Sequence, residues 1–177
     1  MLHTLYTDRL ILRPYEISDA PRASQLAGDK EVAETTFVPY PYTLELAANW
    51  IESHQNLIEN GDAYPFAVVL KEENVLIGTM TIRIDKHHNK GELAYWIGKE
   101  YWGKGFATEA AKKVIEFGFN QLRLNRIWAQ IMSKNKASVK VLEKSGLKYE
   151  GTLKQDILRW DEYQDVDIYG VLKEEYK

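Results

Sequence analysis

The chain contains no cysteine. Disulfides, thiolate zinc sites and a cysteine nucleophile are excluded, and the composition fits a reducing cytosol. No stretch approaches the ~20 consecutive apolar residues of a membrane span. The opening residues, MLHTLYTDRLILRPY, lack a basic segment followed by an apolar run of about 7–15 residues, so they do not read as a signal peptide. Low-complexity tracts, long linkers and internal repeats are missing, which predicts one domain over residues 1–177. A G-x-S-x-G nucleophile elbow is missing too. The adjacent His87 and His88 lie in a polar turn, where neighbouring side chains diverge, so they predict no metal site.

What is present suits a soluble globular domain. Of 177 residues, 45% are apolar and 12% aromatic, enough for a core without staples. Lys and Arg number 23 against 26 Asp and Glu, a formal charge of −3. That balance argues against nucleic acid as a direct partner. The hydrophobic pattern predicts a strand over RLILRPY, a short helix from Ser18–Asp19 to about Leu26, and a loop over ETTFVPYPYT. A second helix runs from Thr43 to Asn60–Gly61. Three strands follow (YPFAVVLK, VLIGTMTIRI, GELAYWIG), then a helix from Thr108 to about Leu122 and the strand NRIWAQIM. A short helix ends at Gly146, and two closing strands turn in the DEYQ region. This order predicts an α+β domain: a mixed sheet of about seven strands flanked by about four helices, not a doubly wound repeat.

The chemistry concentrates in GKEYWGKGFATEA, Gly98 to Ala110. It approaches a P-loop through Gly98, Gly103 and Lys104, but Gly105 stands where the Mg²⁺-binding hydroxyl belongs, and NRIWAQIM ends without an acid. It approaches a dinucleotide fingerprint through Gly103 and Gly105, but Thr108 holds the third glycine position. A third reading keeps the physics of both. A strand enters a glycine turn that opens a helix, whose free N–H groups and dipole hold a pyrophosphate, with Lys104 as a mobile helper. A bare strand-to-helix turn would use the same glycines for their φ angles alone.

These residues resemble the GNAT superfamily of N-acetyltransferases, whose phosphate loop reads Gln/Arg-x-x-Gly-x-Gly/Ala. Trp102-Gly103-Lys104-Gly105-Phe106-Ala107 fills that frame, with Trp102 for the usual Gln or Arg. YWGKGFATEA, NKASVKVLEKSGLKYEG, TDRLILRPYEISDA and DVDIYGVLKEEY together resemble the RimJ/RimL type, the ribosomal-protein N-terminal acetyltransferases. The likeness spans nearly the whole chain. It implies a GNAT fold with a mostly antiparallel, splayed sheet, acetyl-CoA as cosubstrate without a metal, and a cytoplasmic enzyme. The implied acceptor is a primary amine, the α-amino group of a protein N-terminus first, with polyamines and small-molecule amines as alternatives. A non-catalytic acyl-CoA-binding protein is a further alternative, and a homodimer is a family-level expectation.

Site residues follow from the likeness. Trp96, Ile97 and Gly98 end the strand along which the pantetheine arm would run, and Trp96 or Ile97 would supply the N–H that polarises the thioester carbonyl. Gly103, Lys104, Gly105, Phe106, Ala107 and Thr108 would hold the pyrophosphate, and Asn135 the pantetheine. Glu92 is the candidate base, or else a solvated strand-end carboxylate or the charge partner of a neighbouring lysine. Many relatives protonate the leaving thiolate with a tyrosine; Leu142 holds that position here, and Ser138 fits the serine of the RimJ/RimL type. Asn135 and Ser138 are equally expected as capping residues. Phe37 and Tyr40 fall in the segment that walls the acceptor site. The acidic residues Asp161, Glu162, Asp165 and Asp167 fit a solvated hairpin face better than a cation site.

Overall fold

The computed structural model describes residues 2–177. Eight strands form one sheet: β1 (Leu5–Tyr6), β2 (Leu10–Pro14), β3 (Ala63–Leu70), β4 (Val75–Asp85), β5 (Lys90–Ile97), β6 (Arg126–Met132), β7 (Lys148–Arg159) and β8 (Glu162–Leu172). Their spatial order is β1-β2-β3-β4-β5-β6-β8-β7. Every neighbouring pair is antiparallel except β5–β6. Five helices accompany them: α1 (Ala20–Ala27), α2 (Lys30–Glu34), α3 (Leu44–Asn60), α4 (Phe106–Asn120) and α5 (Lys136–Lys144).

Alternation along the strands sends side chains to two cores. Phe66, Val68, Met80, Ile82 and Leu93 pack against Ala110, Ala111, Val114 and Phe117 of α4, and Leu142 of α5 joins them. On the opposite face Ala67, Val69 and Leu76 meet Ala23 and Leu26 of α1. So α4 and α5 cover one side of the sheet, while α1 and α3 cover the other.

Local chemistry explains the helix ends. Thr43 caps α3 by accepting from the Leu46 N–H at 3.2 Å, and Gly61 ends it at φ 68°. α5 starts under an Asn135 cap and stops before Gly146 at φ 97°. Four features differ from the sequence expectation. β1 is two residues long, and α2 is a single turn capped by Asp29, so neither carries a readable period. α4 begins at Phe106 rather than Thr108, because the left-handed Gly105 feeds the helix directly. The β7–β8 turn is Trp160–Asp161, both at positive φ between the paired Arg159 and Glu162, so most of DEYQ lies in β8. Asp19 does not cap α1 with its side chain. It takes two hydrogen bonds from the Arg13 guanidinium, 2.8 and 2.9 Å, and one from the Glu16 N–H.

No helix among the described residues is long and apolar enough to cross a membrane.

Candidate functional site

The site is built around one interrupted strand pairing. β5 pairs β4 along its whole length, from Lys90↔Asp85 to Ile97↔Gly78. On its other side it pairs β6 over only three residues, Lys90↔Arg126 to Glu92↔Trp128. β6 then continues to Met132 beside β8 alone. A wedge therefore opens between β5 and β6 beyond Glu92. Ladder alternation decides which backbone groups face it. The Gly98 N–H donates to Ile77 O at 2.8 Å, so Trp96, Ala94 and Glu92 spend their backbone groups on β4. Leu93, Tyr95 and Ile97 turn theirs toward the wedge. Of the two amides expected to polarise a carbonyl, Trp96 is committed to the sheet and Ile97 faces the opening.

The glycine loop leaves the end of this strand. A 3-10 turn over Lys99–Tyr101 leads to Trp102, then Gly103 and Gly105 at φ 73° and 81°. Both angles lie where only glycine is unstrained. Gly105 is the N-cap of α4 and supplies no side-chain cap. The first intrahelical bond is Glu109 N–H to Gly105 O at 3.0 Å, so the amides of Phe106, Ala107 and Thr108 precede the ladder. Three amides at a helix start fit an anionic group. The Phe106 side chain is buried in the core, so this residue offers its backbone. Lys104 is exposed, with Nζ 5.7 Å from the Tyr101 ring. Trp102 departs from the family pattern in a way the geometry explains: its indole N–H donates to Ile97 O at 2.6 Å and ties the loop to the strand end.

A second tie comes from the far N-terminus. Arg9 Nη1 donates to Lys104 O at 3.0 Å, and Arg9 Nε donates to Glu109 Oε2 at 2.7 Å. Glu109 Oε1 accepts from the Arg9 N–H at 2.9 Å and from Thr7 Oγ1 at 2.6 Å. The guanidinium sits 4.4 Å from the centre of the Phe106 ring. Burial alone would raise the Glu109 carboxyl; the bonds from Thr7 and Arg9 outweigh it and hold it below its ordinary value. This clamp was not read from the sequence, since its partners lie about a hundred residues apart; the one available signal was Glu109 in the first turn of α4.

The two candidate catalytic residues approach the wedge from opposite faces. Glu92 shares its face with Ala94 and Trp96, and Trp96 packs on the α1 side. Glu92 Oε1 accepts from Gln130 Nε2 at 3.1 Å and lies 3.7 Å from Arg83 Nη1, so its charge partner is an arginine from β4 and not the lysine expected. Ser138 stands in the first turn of α5, on the α4 side. Its N–H donates to Asn135 Oδ1 at 3.1 Å, so Asn135 performs the expected capping and Ser138 is the residue whose amide is capped. Leu142 is fully buried.

Phe37 and Tyr40 lie on the loop between α2 and α3, 56% and 46% exposed. The tip of the β7–β8 hairpin closes over this loop. Arg159 Nη2 donates to Ala33 O and Val38 O at 2.8 and 2.6 Å, and the Trp160 ring packs tilted against Tyr40 with centroids 5.6 Å apart. The sequence held no sign of this bridge. Of the four acidic hairpin residues, Asp167 accepts from Ser133 and Thr152 and Asp165 from the Gln155 N–H, which makes them structural. No cluster of metal-ligating side chains occurs among the described residues.

A glycine turn at a helix start, fed by a strand with an open edge, is the geometry that the GNAT likeness implies. The chain belongs to the GNAT acetyltransferase family: the model of the acetyltransferase (GNAT) domain matches residues 9–148. It is 36% identical to the uncharacterized N-acetyltransferase p20 of Bacillus licheniformis, over 99% of each chain. YdaF of Bacillus subtilis, whose name proposes a ribosomal N-acetyltransferase, is 27% identical over 96% of this chain and 94% of its own. Spermidine N(1)-acetyltransferase of Escherichia coli is 26% identical over 93% and 87%. The crystal structure of a GNAT-family acetyltransferase from Bacillus anthracis superposes with a TM-score of 0.86, at 27% identity over 97% and 99%. The protein is therefore an acetyl-CoA-dependent N-acetyltransferase on the GNAT fold, with eight strands and five helices for the roughly seven and four expected.

Proposed function

We propose that this chain acetylates the α-amino group of a protein N-terminus by direct attack in a ternary complex, as the RimJ/RimL type does. The observation that carries the acetyl-transfer part of the reading is the wedge: one strand edge opens beyond Glu92, and the strand leads through a single 3-10 turn into the glycine loop. A pyrophosphate fits the free amides of Phe106, Ala107 and Thr108, and a peptide-like pantetheine arm fits the open edge of β5 as an added strand. Acetyl-CoA supplies an activated acyl group there.

The chain's own residues then divide the work. The Ile97 N–H points where a carbonyl oxygen gains charge as the amine adds. Glu92, on the α1 face, takes the proton of the incoming ammonium directly or through water. An α-amino group, with a pKa near ~8, releases that proton more readily than a lysine side chain near ~10. Ser138, on the α4 face, meets the leaving sulfur. Without cysteine, no thiol acyl-enzyme intervenes, which favours direct attack. Phe37 and Tyr40 line the acceptor approach beside Trp160.

The acceptor preference rests on the four-segment likeness to the RimJ/RimL type, because relatives at 27% and 26% identity are named for different amines. Site loops set that choice more than fold. The test is thiol release from acetyl-CoA with three acceptors. These are a peptide with a free N-terminus, the same peptide blocked at its N-terminus but carrying lysine, and spermidine. Turnover of the free peptide is expected to exceed that of the other two. Turnover of spermidine alone would move the protein to the polyamine class. Acetyl-CoA binding without turnover of any amine would make it an acyl-CoA-binding protein.

A further inference from the structure

Tyr95 presents a buried polar group with no use inside the resting chain. It lies on β5 three residues beyond Glu92, in the stretch that β6 has left. Its side chain shares the face of Leu93 and packs on the core formed with α4 and α5. Its hydroxyl oxygen is shielded from solvent and makes no hydrogen bond among the described residues. A neutral hydroxyl left unpaired in this way costs about 1–3 kcal/mol, and phenylalanine would fill the same space without that cost. Burial pushes the phenol up to about 12, and Ser138, the side chain facing it, lowers it only in part. At working pH the group is therefore a proton-bearing donor and no base. Ser138 approaches from the first turn of α5, but no hydrogen bond closes between the two hydroxyls.

Resting on the acetyl-transfer reading above, we infer that Tyr95 is a positioning residue for the leaving-group side of the reaction: its O–H is the donor for Ser138 Oγ, which turns the Ser138 O–H toward the thioester sulfur. When the C–S bond breaks, its electron pair stays on sulfur as thiolate. The Ser138 O–H meets that charge as a donor, and the Tyr95 O–H strengthens it by donating to Ser138 Oγ. The pair itself gains and loses no proton. The proton that the amine releases to Glu92 or water balances the thiolate through solvent. A hydroxyl that is unpaired at rest and engaged in the transition state stabilises the second state selectively.

The experiment compares wild type, Tyr95→Phe, Ser138→Ala and the double variant. Its readouts are steady-state kinetics, coenzyme A binding by calorimetry, and thermal stability. Wild-type thiol release comes first, and its absence with every amine overturns the acetyl-transfer reading and the inference with it. Given an active wild type, Tyr95→Phe is expected to lower kcat about 3- to 10-fold, the worth of one neutral hydrogen bond. KM for acetyl-CoA and Kd for coenzyme A should stay within about twofold, and Tm should hold or rise. Ser138→Ala should lower kcat as well, and adding Tyr95→Phe to it should change nothing further. An unchanged kcat in Tyr95→Phe overturns the inference while leaving the enzyme reading intact. So does a full Tyr95→Phe effect in the Ser138→Ala background. A loss seen in Kd rather than in kcat overturns it too, since the hydroxyl would then bind the pantetheine arm.

Discussion

His54 offers a quantitative test of the packing behind the site. It lies on α3, 3% exposed, with both ring nitrogens unpaired and the rings of Trp50 and Tyr15 at 4.3 and 5.4 Å. Burial alone lowers its pKa to about 4. An unfolded histidine titrates near ~6.5. The folded chain thus holds the imidazole neutral where the unfolded chain would protonate it. A depressed folded pKa of a base means that stability is complete above pH ~6.5 and is lost as pH falls toward ~4. The slope approaches about 1.4 kcal/mol per pH unit, and the total is about 3 kcal/mol. His54→Leu removes the titration and both unpaired nitrogens. Urea unfolding of both proteins between pH 7.5 and 4.5 isolates the term, because acids such as Asp19 and Glu109 contribute equally to each. The variant is expected to gain about 2–3 kcal/mol relative to wild type between pH 7 and 4.5. Two curves that fall in parallel would refute a neutral buried His54.

Four further outcomes follow from the site geometry. Glu92→Gln should lower kcat by about 100-fold or more and change the shape of the pH–rate profile, as expected for a general base. A profile of unchanged shape would leave Glu92 as a partner of Arg83 and Gln130. Gly105→Ala places a Cβ at φ 81°, 3.4 Å from Arg9 Nη2, and should cost about 1–2 kcal/mol in stability and weaken coenzyme A binding; Tm and calorimetry read both. Trp102→Phe keeps the ring but removes the donor to Ile97 O, and should raise KM for acetyl-CoA several-fold with kcat unchanged. Arg9→Ala frees the Lys104 carbonyl and Glu109, and should weaken acetyl-CoA. It should leave S-acetyl-pantetheine, which has no pyrophosphate, unaffected; equal losses with both substrates would show a general structural defect.

Much of this site was legible because its signals are local. Gly103, Gly105 and the start of α4 lie within a few residues, and backbone φ alone demands glycine there. The three strands before the loop and the helix after it declare themselves by period, and the Thr43 cap and Gly61 stop bracket α3. What escaped is long-range. Arg9 and Glu109 meet only because β2 lies in the sheet beneath α4. Arg159 reaches Ala33 and Val38 because a Trp160–Asp161 turn, lacking the usual glycine or asparagine, brings the hairpin tip over the loop between α2 and α3. The choice between Trp96 and Ile97 depends on ladder phase, which a strand's sequence does not encode. The Tyr95 hydroxyl drew no reading from the sequence, because only the fold shows that it is buried without a partner.

The central claim is that acetyl-CoA lies with its pyrophosphate on the start of α4 and its thioester in the β5–β6 wedge. Backbone amide resonances followed during coenzyme A titration test it most directly. The account predicts the largest shifts at Gly103 to Thr108, with a second group at Tyr95 to Ile97 in the wedge. A different cavity of about 480 Å³ lies at the far end of α4, lined by Asn89, Asn120, Arg123 and Lys173. Shifts concentrated there, with the glycine loop and β5 silent, would contradict the account.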